Sequence, residues 1–162
     1  MSMIGNFAAV SASRLDELIK NPEQIGDFLE EISEGAEGDG DFLDVDKSWH
    51  GIHFLLTGSA WEGDAPLKWV VLAPTEIGED VGYGPARILK PPEVAEVSKA
   101  LVPITVDQLR VRYDCEVMNK SEIYPQGWAH DDADYILGNF EDLKKLYESA
   151  ARRSMGIIQW LN

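Results

Sequence analysis

The chain is poor in cysteine, in basic residues and in long apolar runs. Its single cysteine, Cys115, cannot form an internal disulfide, so we expect a reducing compartment, the cytoplasm. No apolar run approaches the roughly 20 residues that a helix needs to cross a bilayer, so we expect no membrane span. Residues 1–10 lack both the basic start and the apolar stretch of a secretory signal peptide.

Basic residues are strongly outnumbered by acids. Lys and Arg number 14 against 29 Asp and Glu, which gives a formal net charge of −15. Such a field repels phosphate backbones and anionic lipids, so neither nucleic acid nor membrane is expected as a partner. It attracts a basic protein, although a role in solubility explains the same charge. The partner classes left are a basic protein and a small polar ligand.

Apolar residues are frequent enough for an ordinary folded core. They make up 44% of the chain, and 162 residues suit a single domain spanning 1–162. The acidic, glycine-rich stretch Glu34–Asp41 is expected to be a loop. Short apolar runs predict strands at Ile4–Val10, Leu67–Leu72, Ala86–Leu89 and Gly156–Leu161. We therefore expect an α/β domain with a mixed sheet of about four strands, covered by helices, in which the two terminal strands are neighbours.

The segment Asp44–Gly58, DVDKSWHGIHFLLTG, predicts one central helix. An aspartate before the helix caps its start, and Gly58 supplies the left-handed residue that ends it. Trp49 falls on the buried stripe at helical spacing, and His53 lies on the edge of that stripe. Asp46 lies on the same side of the helix as His53, so the carboxylate is expected near the imidazole.

Three interpretations of His53 remain open. In the first it is a structural residue, because a histidine at the margin of an apolar face commonly needs only one hydrogen-bond partner. In the second, Asp46 orients His53 as a general acid–base. In the third, His50 and His53 share a metal ion, but their spacing is not the i, i+4 spacing of zinc peptidases. We therefore expect no metal site and no obligatory cofactor.

Two loops carry further candidates for contacting a ligand. Tyr83 and Arg87 lie in the connection Gly78–Ile88, whose glycines match neither a phosphate-binding loop nor a dinucleotide fingerprint. Arg87 either forms an ordinary surface salt bridge or pairs with a ligand carboxylate or phosphate. Tyr124 and Trp128 lie on an irregular turn, where aromatic rings either roof a pocket or pin the turn to the core.

Four segments of the chain form a recognisable set: MIGNFAAVS, LDVDKSWHGIHFLLTG, YGPARILKPPEV and EIYPQGW. With the long terminal helix they resemble the YfbM-like family of small bacterial proteins over essentially the whole chain. The family pattern takes in Asp44, Asp46, Lys47, Trp49, His53, Phe54, Thr57 and Gly58, whereas His50 is not a regular part of it. The family is a domain of unknown function, so the resemblance implies a cytoplasmic α/β domain and transfers no catalytic residues.

The sequence leaves two classes of function. The first, which we favour, is a ligand- or protein-binding module with a strongly acidic surface, because no nucleophile–base or metal constellation is evident. The second is a small enzyme acting on a polar or anionic metabolite, with His53 and Asp46 as the acid–base pair. The predicted ligand contacts are Trp49, Tyr83, Arg87, Tyr124 and Trp128.

Overall fold

A computed structural model describes residues 1–35 and 41–162. These residues form one sheet with helices on both faces, which confirms the predicted α/β class. The strands are β1 (Gly5–Val10), β2 (Phe42–Asp44), β3 (Thr75–Asp80), β4 (Pro85–Leu89) and β5 (Gly156–Leu161). The helices are α1 (Ala12–Lys20), α2 (Ile25–Ser33), α3 (Trp49–Thr57), α4 (Pro91–Leu101), α5 (Val106–Arg112), α6 (Cys115–Lys120) and α7 (Ala133–Arg152). Most of the predicted loop Glu34–Asp41 lies outside the described residues.

The sheet has the strand order β2-β1-β5-β4-β3. Every pairing between neighbours is antiparallel, where a mixed sheet was expected. The predicted neighbourhood of the terminal strands is confirmed, since β1 pairs with β5 from Gly5–Leu161 to Val10–Gly156. The strand β3 was not predicted from the sequence. This edge strand buries only Ile77 and is otherwise polar and exposed, so it has no apolar run.

Alternate residues of the central strands face two separate cores. Phe7 and Ile157 belong to the core between the sheet and α3, α4 and α7. Ala8 and Ile158 belong to the core between the sheet and α1 and α2. Because successive strand residues point to opposite faces, burial on both faces explains why β1 and β5 read as continuous apolar runs in the sequence.

Two strand glycines let helices approach the sheet closely. A Cβ on Gly5 would lie 2.7 Å from Cβ of Trp49, so α3 rests on β1 only because residue 5 has no side chain. A Cβ on Gly156 would lie 2.5 Å from Cδ2 of Leu15 on the other face. Glycine in a strand commonly marks such an approach. Gly5 therefore sets where Trp49 lies over the sheet.

The apolar run LKWVVL is not the strand that its composition predicted. That prediction is wrong, since Leu67–Val70 forms a 3-10 helix. The carbonyls of Trp69 and Val70 accept hydrogen bonds from Nε2 of Gln159 at 2.7 and 3.0 Å. The side chain of Gln159 on β5 thus binds two backbone carbonyls of this run. The residues of the run itself do not indicate this distant hydrogen-bond partner.

Local signals located several helix ends. α3 ends at Gly58, whose φ of 76° is left-handed as predicted. α5 begins with a capping box between Thr105 and Gln108. α3 begins later than predicted, because Asp46–Ser48 forms a 3-10 turn before it. In the part of the chain that the structure describes, no helix combines the length and the apolar character needed to cross a membrane.

Candidate functional site

One row of side chains crosses the sheet on the side of α3. Strand pairing places Phe7 of β1 opposite Gln159 of β5, and Gln159 opposite Arg87 of β4. Arg87 in turn lies opposite Glu76 of β3. Opposed residues in antiparallel strands have Cβ atoms about 5 Å apart and point to the same face. The row therefore brings an amide, a guanidinium and a carboxylate together from distant parts of the sequence.

A cleft opens beside this row, and three of the predicted ligand contacts meet there. Trp49 lines it together with Tyr83 and Arg87, which come from one connection more than 30 residues further along the chain. The cleft has a cavity volume of about 50 Å³ and opens to solvent. Among the described residues that line it, Arg87 is the sole charged side chain. The other lining residues are polar Asn6 and Gln159 and apolar Phe7, Val71, Leu72, Pro85, Trp160 and Leu161.

Gln159 is the polar centre of the cleft wall formed by β5. Its side chain is buried, with 3% of the residue exposed. Its Nε2 donates to the Trp69 carbonyl at 2.7 Å, and its Oε1 accepts from the Ala73 N–H at 2.8 Å. These bonds fix the segment whose Val71 and Leu72 form the facing wall. Our sequence analysis missed Gln159, although a lone amide in the apolar run GIIQWL was an available signal.

Arg87 lies between a backbone anchor and a surface ion pair. Its Nη1 donates to the Ala73 carbonyl at 2.9 Å, and its Nη2 lies 3.2 Å from Oε1 of Glu76. The Arg87 side chain is 38% exposed. A guanidinium has five N–H donors, so these two bonds leave donors free for the carboxylate or phosphate of a ligand.

Tyr83 and Trp49 are the two predicted aromatic residues that line the cleft, and Tyr83 is the exposed one. Tyr83 lies in the turn between β3 and β4, and its N–H donates to the Leu161 carbonyl at 3.2 Å. Gly82 and Gly84 flank it with φ of 148° and 98°, conformations that favour glycine, so the turn presents Tyr83 beside the cleft. Trp49 is 1% exposed, and its indole N–H donates to the Met3 carbonyl at 3.0 Å.

The other two predicted aromatic contacts lie away from the cleft. The Tyr124 ring stacks on Trp49 with centroids 5.8 Å apart, and its hydroxyl accepts from the Met3 N–H at 2.8 Å. Trp128 is buried, and its indole N–H donates to the Ile123 carbonyl at 2.9 Å. Tyr124 therefore supports Trp49 from behind, whereas Trp128 pins its own turn to the core.

His53 and Asp46 do not form the predicted pair. His53 is 1% exposed, and its Nε2 donates to the Glu62 carbonyl at 3.0 Å. Asp46 instead accepts a hydrogen bond from the Tyr135 hydroxyl at 2.6 Å. Neither residue belongs to the described lining of the cleft. Burial lowers the pKa of His53 to about 4, against the opposing effect of the Glu62 carbonyl, so the imidazole is neutral at pH 7.

Two histidines hold the segment that follows α3. Nδ1 of His50 accepts from the Tyr124 N–H at 2.8 Å, so its proton lies on Nε2, which donates to the Ala60 carbonyl at 2.8 Å. His53 donates in the same way to Glu62, while its buried Nδ1 has no hydrogen-bond partner among the residues described. Burial also lowers the pKa of His50. This geometry matches the structural interpretation of His53, and it shows that His50 has a similar structural role.

Comparison with known proteins places the chain in a family. Residues 1–160 match a family model described as a domain of unknown function, DUF1877. The chain belongs to this family. YfbM of Escherichia coli strain K12 is 30% identical over 129 residues, which cover 77% of this chain and 74% of YfbM. The crystal structure of YfbM from Escherichia coli, a protein of unknown function, matches with a TM-score of 0.74 and 25% sequence identity, covering 99% of this chain and 100% of that one.

The resemblance to YfbM-like proteins is thereby confirmed over nearly the whole chain. Membership of the DUF1877 family accounts for the fold, since the YfbM structure covers both the sheet and its helices. The family description assigns no activity. A function for this DUF1877 chain therefore has to come from the chemistry of its cleft and surface.

Proposed function

We propose that this DUF1877 chain is a binding module whose cleft takes a small ligand with a flat apolar part and an anionic group. One observation carries the proposal. In a chain of net charge −15, the sole charged side chain among the described residues lining the cleft is an arginine, Arg87. Exposed Tyr83 offers aromatic surface to the apolar part, and Arg87 offers N–H donors to the anion.

The surroundings of Arg87 favour an anion over a neutral ligand of the same shape. A ligand bound against the apolar lining would displace water from beside Arg87, and an ionic contact strengthens as the surrounding water is removed. A ligand with a neutral amide in place of the anionic group would make weaker hydrogen bonds to Arg87, because those bonds lack the assistance of the ligand's negative charge. Because Arg87 is partly exposed, we expect the preference to be about tenfold in affinity, near the low end for hydrogen bonds to charged groups.

Binding of benzoate and benzamide tests this proposal, because the two probes share a ring and differ in charge. We expect titrations followed by the NMR signal of the Trp49 indole N–H to show benzoate binding about tenfold more tightly than benzamide. Arg87→Gln removes the positive charge and should abolish the preference while leaving weak binding of the ring.

Arg110→Gln is the matched control. Nη2 of Arg110 lies 2.7 Å from Oδ1 of Asp134 in another exposed ion pair, and Arg110 does not belong to the described lining of the cleft. This variant should keep the preference for benzoate. Equal affinity of the wild-type chain for both probes would contradict the proposal, as would equal effects of the Arg87 and Arg110 variants.

A second candidate function, docking of a basic protein, is favoured by a groove on the opposite face of the sheet. The groove lies between α2 and the end of β3, over the apolar side chains of Ile25, Leu29 and Trp160 and beside half-buried Val81. Its described lining has no Lys, Arg or His and carries five carboxylates, those of Glu23, Glu30, Glu34, Glu79 and Asp80. An amphipathic basic segment would complement both the apolar surface and the charge.

A synthetic amphipathic peptide of Lys and Leu is the probe for this groove. The wild-type chain should bind it at low salt and release it at high salt, because partly exposed charges are screened. The triple variant E30Q/E34Q/E79Q should lose binding. The triple variant E116Q/E141Q/E148Q removes as much charge outside the groove and should retain it. Equal losses in the two triple variants would attribute binding to net charge and contradict a site at the groove.

The enzyme alternative lacks a supporting observation among the described residues. His53 is buried outside the cleft, and Asp46 is bonded to Tyr135, so no acid–base pair faces a ligand there. The proposed setting of the binding module is the cytoplasm, on the ground that the chain has a single cysteine and needs no oxidising compartment for its folding.

A further inference from the structure

We infer that Glu76 is an internal competitor for Arg87, and that the anionic group of a ligand binds by taking its place. This inference rests on the proposed ligand cleft. Oε1 of Glu76 lies 3.2 Å from Nη2 of Arg87, and the two residues are opposed in the pairing of β3 with β4. Glu76 thus occupies a donor that the carboxylate of a ligand would use.

Arg87 is fixed on one side and exchangeable on the other. Its Nη1 donates to the carbonyl of Ala73, and the N–H of Ala73 is held by the buried amide of Gln159. The contact with Glu76 joins two side chains that are 38% and 54% exposed. Exposed ion pairs are weak and exchange readily with solvent. The guanidinium therefore stays in place while its carboxylate partner is replaced.

The position of Glu76 lets it withdraw without disturbing the fold. β3 is an edge strand, and Ile77 is its buried residue, so the Glu76 side chain can turn into solvent while the backbone pairing stays intact. Without a ligand, Glu76 compensates the charge of Arg87. With one, the expelled carboxylate regains its full hydration, which offsets part of the cost of breaking the pair.

Because of this competition, a ligand group must bind Arg87 more strongly than Glu76 does in order to replace it. A neutral polar group gains too little from Arg87 to displace a carboxylate. A ligand carboxylate or phosphate matches the charge of Glu76 and brings its own contacts with the apolar and aromatic walls. The competition therefore weakens the binding of an anionic group, so that an anion binds well when its apolar part also contacts the walls of the cleft.

Benzoate titrations of four chains test the inference: wild type, E76Q, E79Q and R87Q. Glu76→Gln keeps the length of the side chain and removes the competing charge. We expect it to tighten benzoate binding about threefold, the worth of one exposed ion pair, and to leave benzamide binding unchanged. Glu79→Gln removes the same charge from the same strand, but Glu79 lines the groove rather than the cleft, so benzoate affinity should stay within error of wild type.

The outcomes separate this inference from the function on which it rests. Tighter benzoate binding in E76Q and not in E79Q supports competition. An E76Q affinity equal to that of wild type or of E79Q, with the preference still lost in R87Q, overturns the inference and leaves the ligand cleft standing. Failure of the wild-type chain to bind benzoate, or an R87Q variant that behaves as wild type, overturns both.

Discussion

The two faces of the sheet are built on different principles. On the α1 and α2 side, β5 presents Ile158 and Trp160 to a core composed of apolar side chains. On the α3 side, the residue between them is the buried amide Gln159, with the guanidinium of Arg87 beside it. Both faces carry an apolar core, but the core on the α3 side also contains hydrogen bonds from a buried amide.

The difference explains why the cleft lies on the α3 side. A buried amide must have partners for its donors and its acceptor. Gln159 finds them on the backbone of Trp69, Val70 and Ala73, at the end of the short 3-10 helix Leu67–Val70 and just after it. This short segment leaves space on the sheet beside Arg87. The hydrogen bonds that the buried Gln159 amide requires are thus associated with a concave surface on this side of the sheet.

Gln159→Leu should have the largest effect on stability. It replaces the buried amide on the α3 side with an apolar side chain like those on the opposite face. The change leaves the Ala73 N–H and the Trp69 carbonyl without these partners, and each such group costs about 1–3 kcal/mol. We expect urea denaturation to show a loss of about 4 kcal/mol in the free energy of unfolding. Ile158→Val on the opposite face should cost about 1 kcal/mol. Equal losses would contradict the distinction between the faces.

Acidification should have the second largest effect and should lower the free energy of unfolding through the histidines on the α3 side. The pKa of His53, about 4 in the folded chain because of burial, lies below the 6.5 of the unfolded chain, so between these pH values only the unfolded chain binds the proton. Stability from His53 is fully present above about pH 6.5 and is lost as the pH falls to about 4, by up to about 3 kcal/mol. The lowered pKa of His50 acts in the same direction. Urea denaturation at a series of pH values measures the slope.

His53→Gln isolates the contribution of this histidine. Glutamine keeps an N–H for the Glu62 carbonyl but cannot titrate, so the variant should lose less stability over the same pH range. Hydrogen exchange in mild acid should show α3 losing protection before α1 and α2, which contain no histidine. The same slope in the variant and the wild type would exclude His53 as the cause.

Gly5→Ala should disturb the α3 face by a smaller amount. The new methyl would lie 2.7 Å from Cβ of Trp49, and overpacking of this kind costs about 2 kcal/mol. Gly138→Ala is the control, since a methyl there meets nothing within 4 Å and the helix α7 gains up to about 1 kcal/mol. Thermal unfolding should therefore move in opposite directions for the two variants. If Gly5→Ala left the thermal stability unchanged, α3 would be free to shift on the sheet, which would contradict this prediction.

Glu76→Gln should have the smallest effect on stability. An exposed ion pair contributes less than about 1 kcal/mol, and the backbone anchor of Arg87 on Ala73 remains. Urea denaturation should therefore place this variant within about 1 kcal/mol of wild type. A larger loss would mean that the pair supports the fold, which would contradict its exchange with a ligand.

Much of the fold could be predicted because its signals are local. Thr105 with Gln108, Gly58, and the apolar runs at the two ends of the chain each specify an element within a few residues. The candidate site was predicted only in part. Arg87 stood out as a cation among acids, but its neighbours Gln159 and Glu76 are set by strand register, which sequence spacing does not show.

The sequence by itself determined the fold class, the capped helices and the acidic charge of this protein, because propensity, capping and charge act between near neighbours or need no geometry. Only the tertiary structure decided that the run LKWVVL begins with a 3-10 helix over Leu67–Val70 instead of forming a strand, that His53 is buried against the Glu62 carbonyl, and that Trp49, Tyr83 and Arg87 share one cleft. These outcomes depend on hydrogen bonds and packing between residues far apart in the chain, whose free energies exceed the local preferences they override.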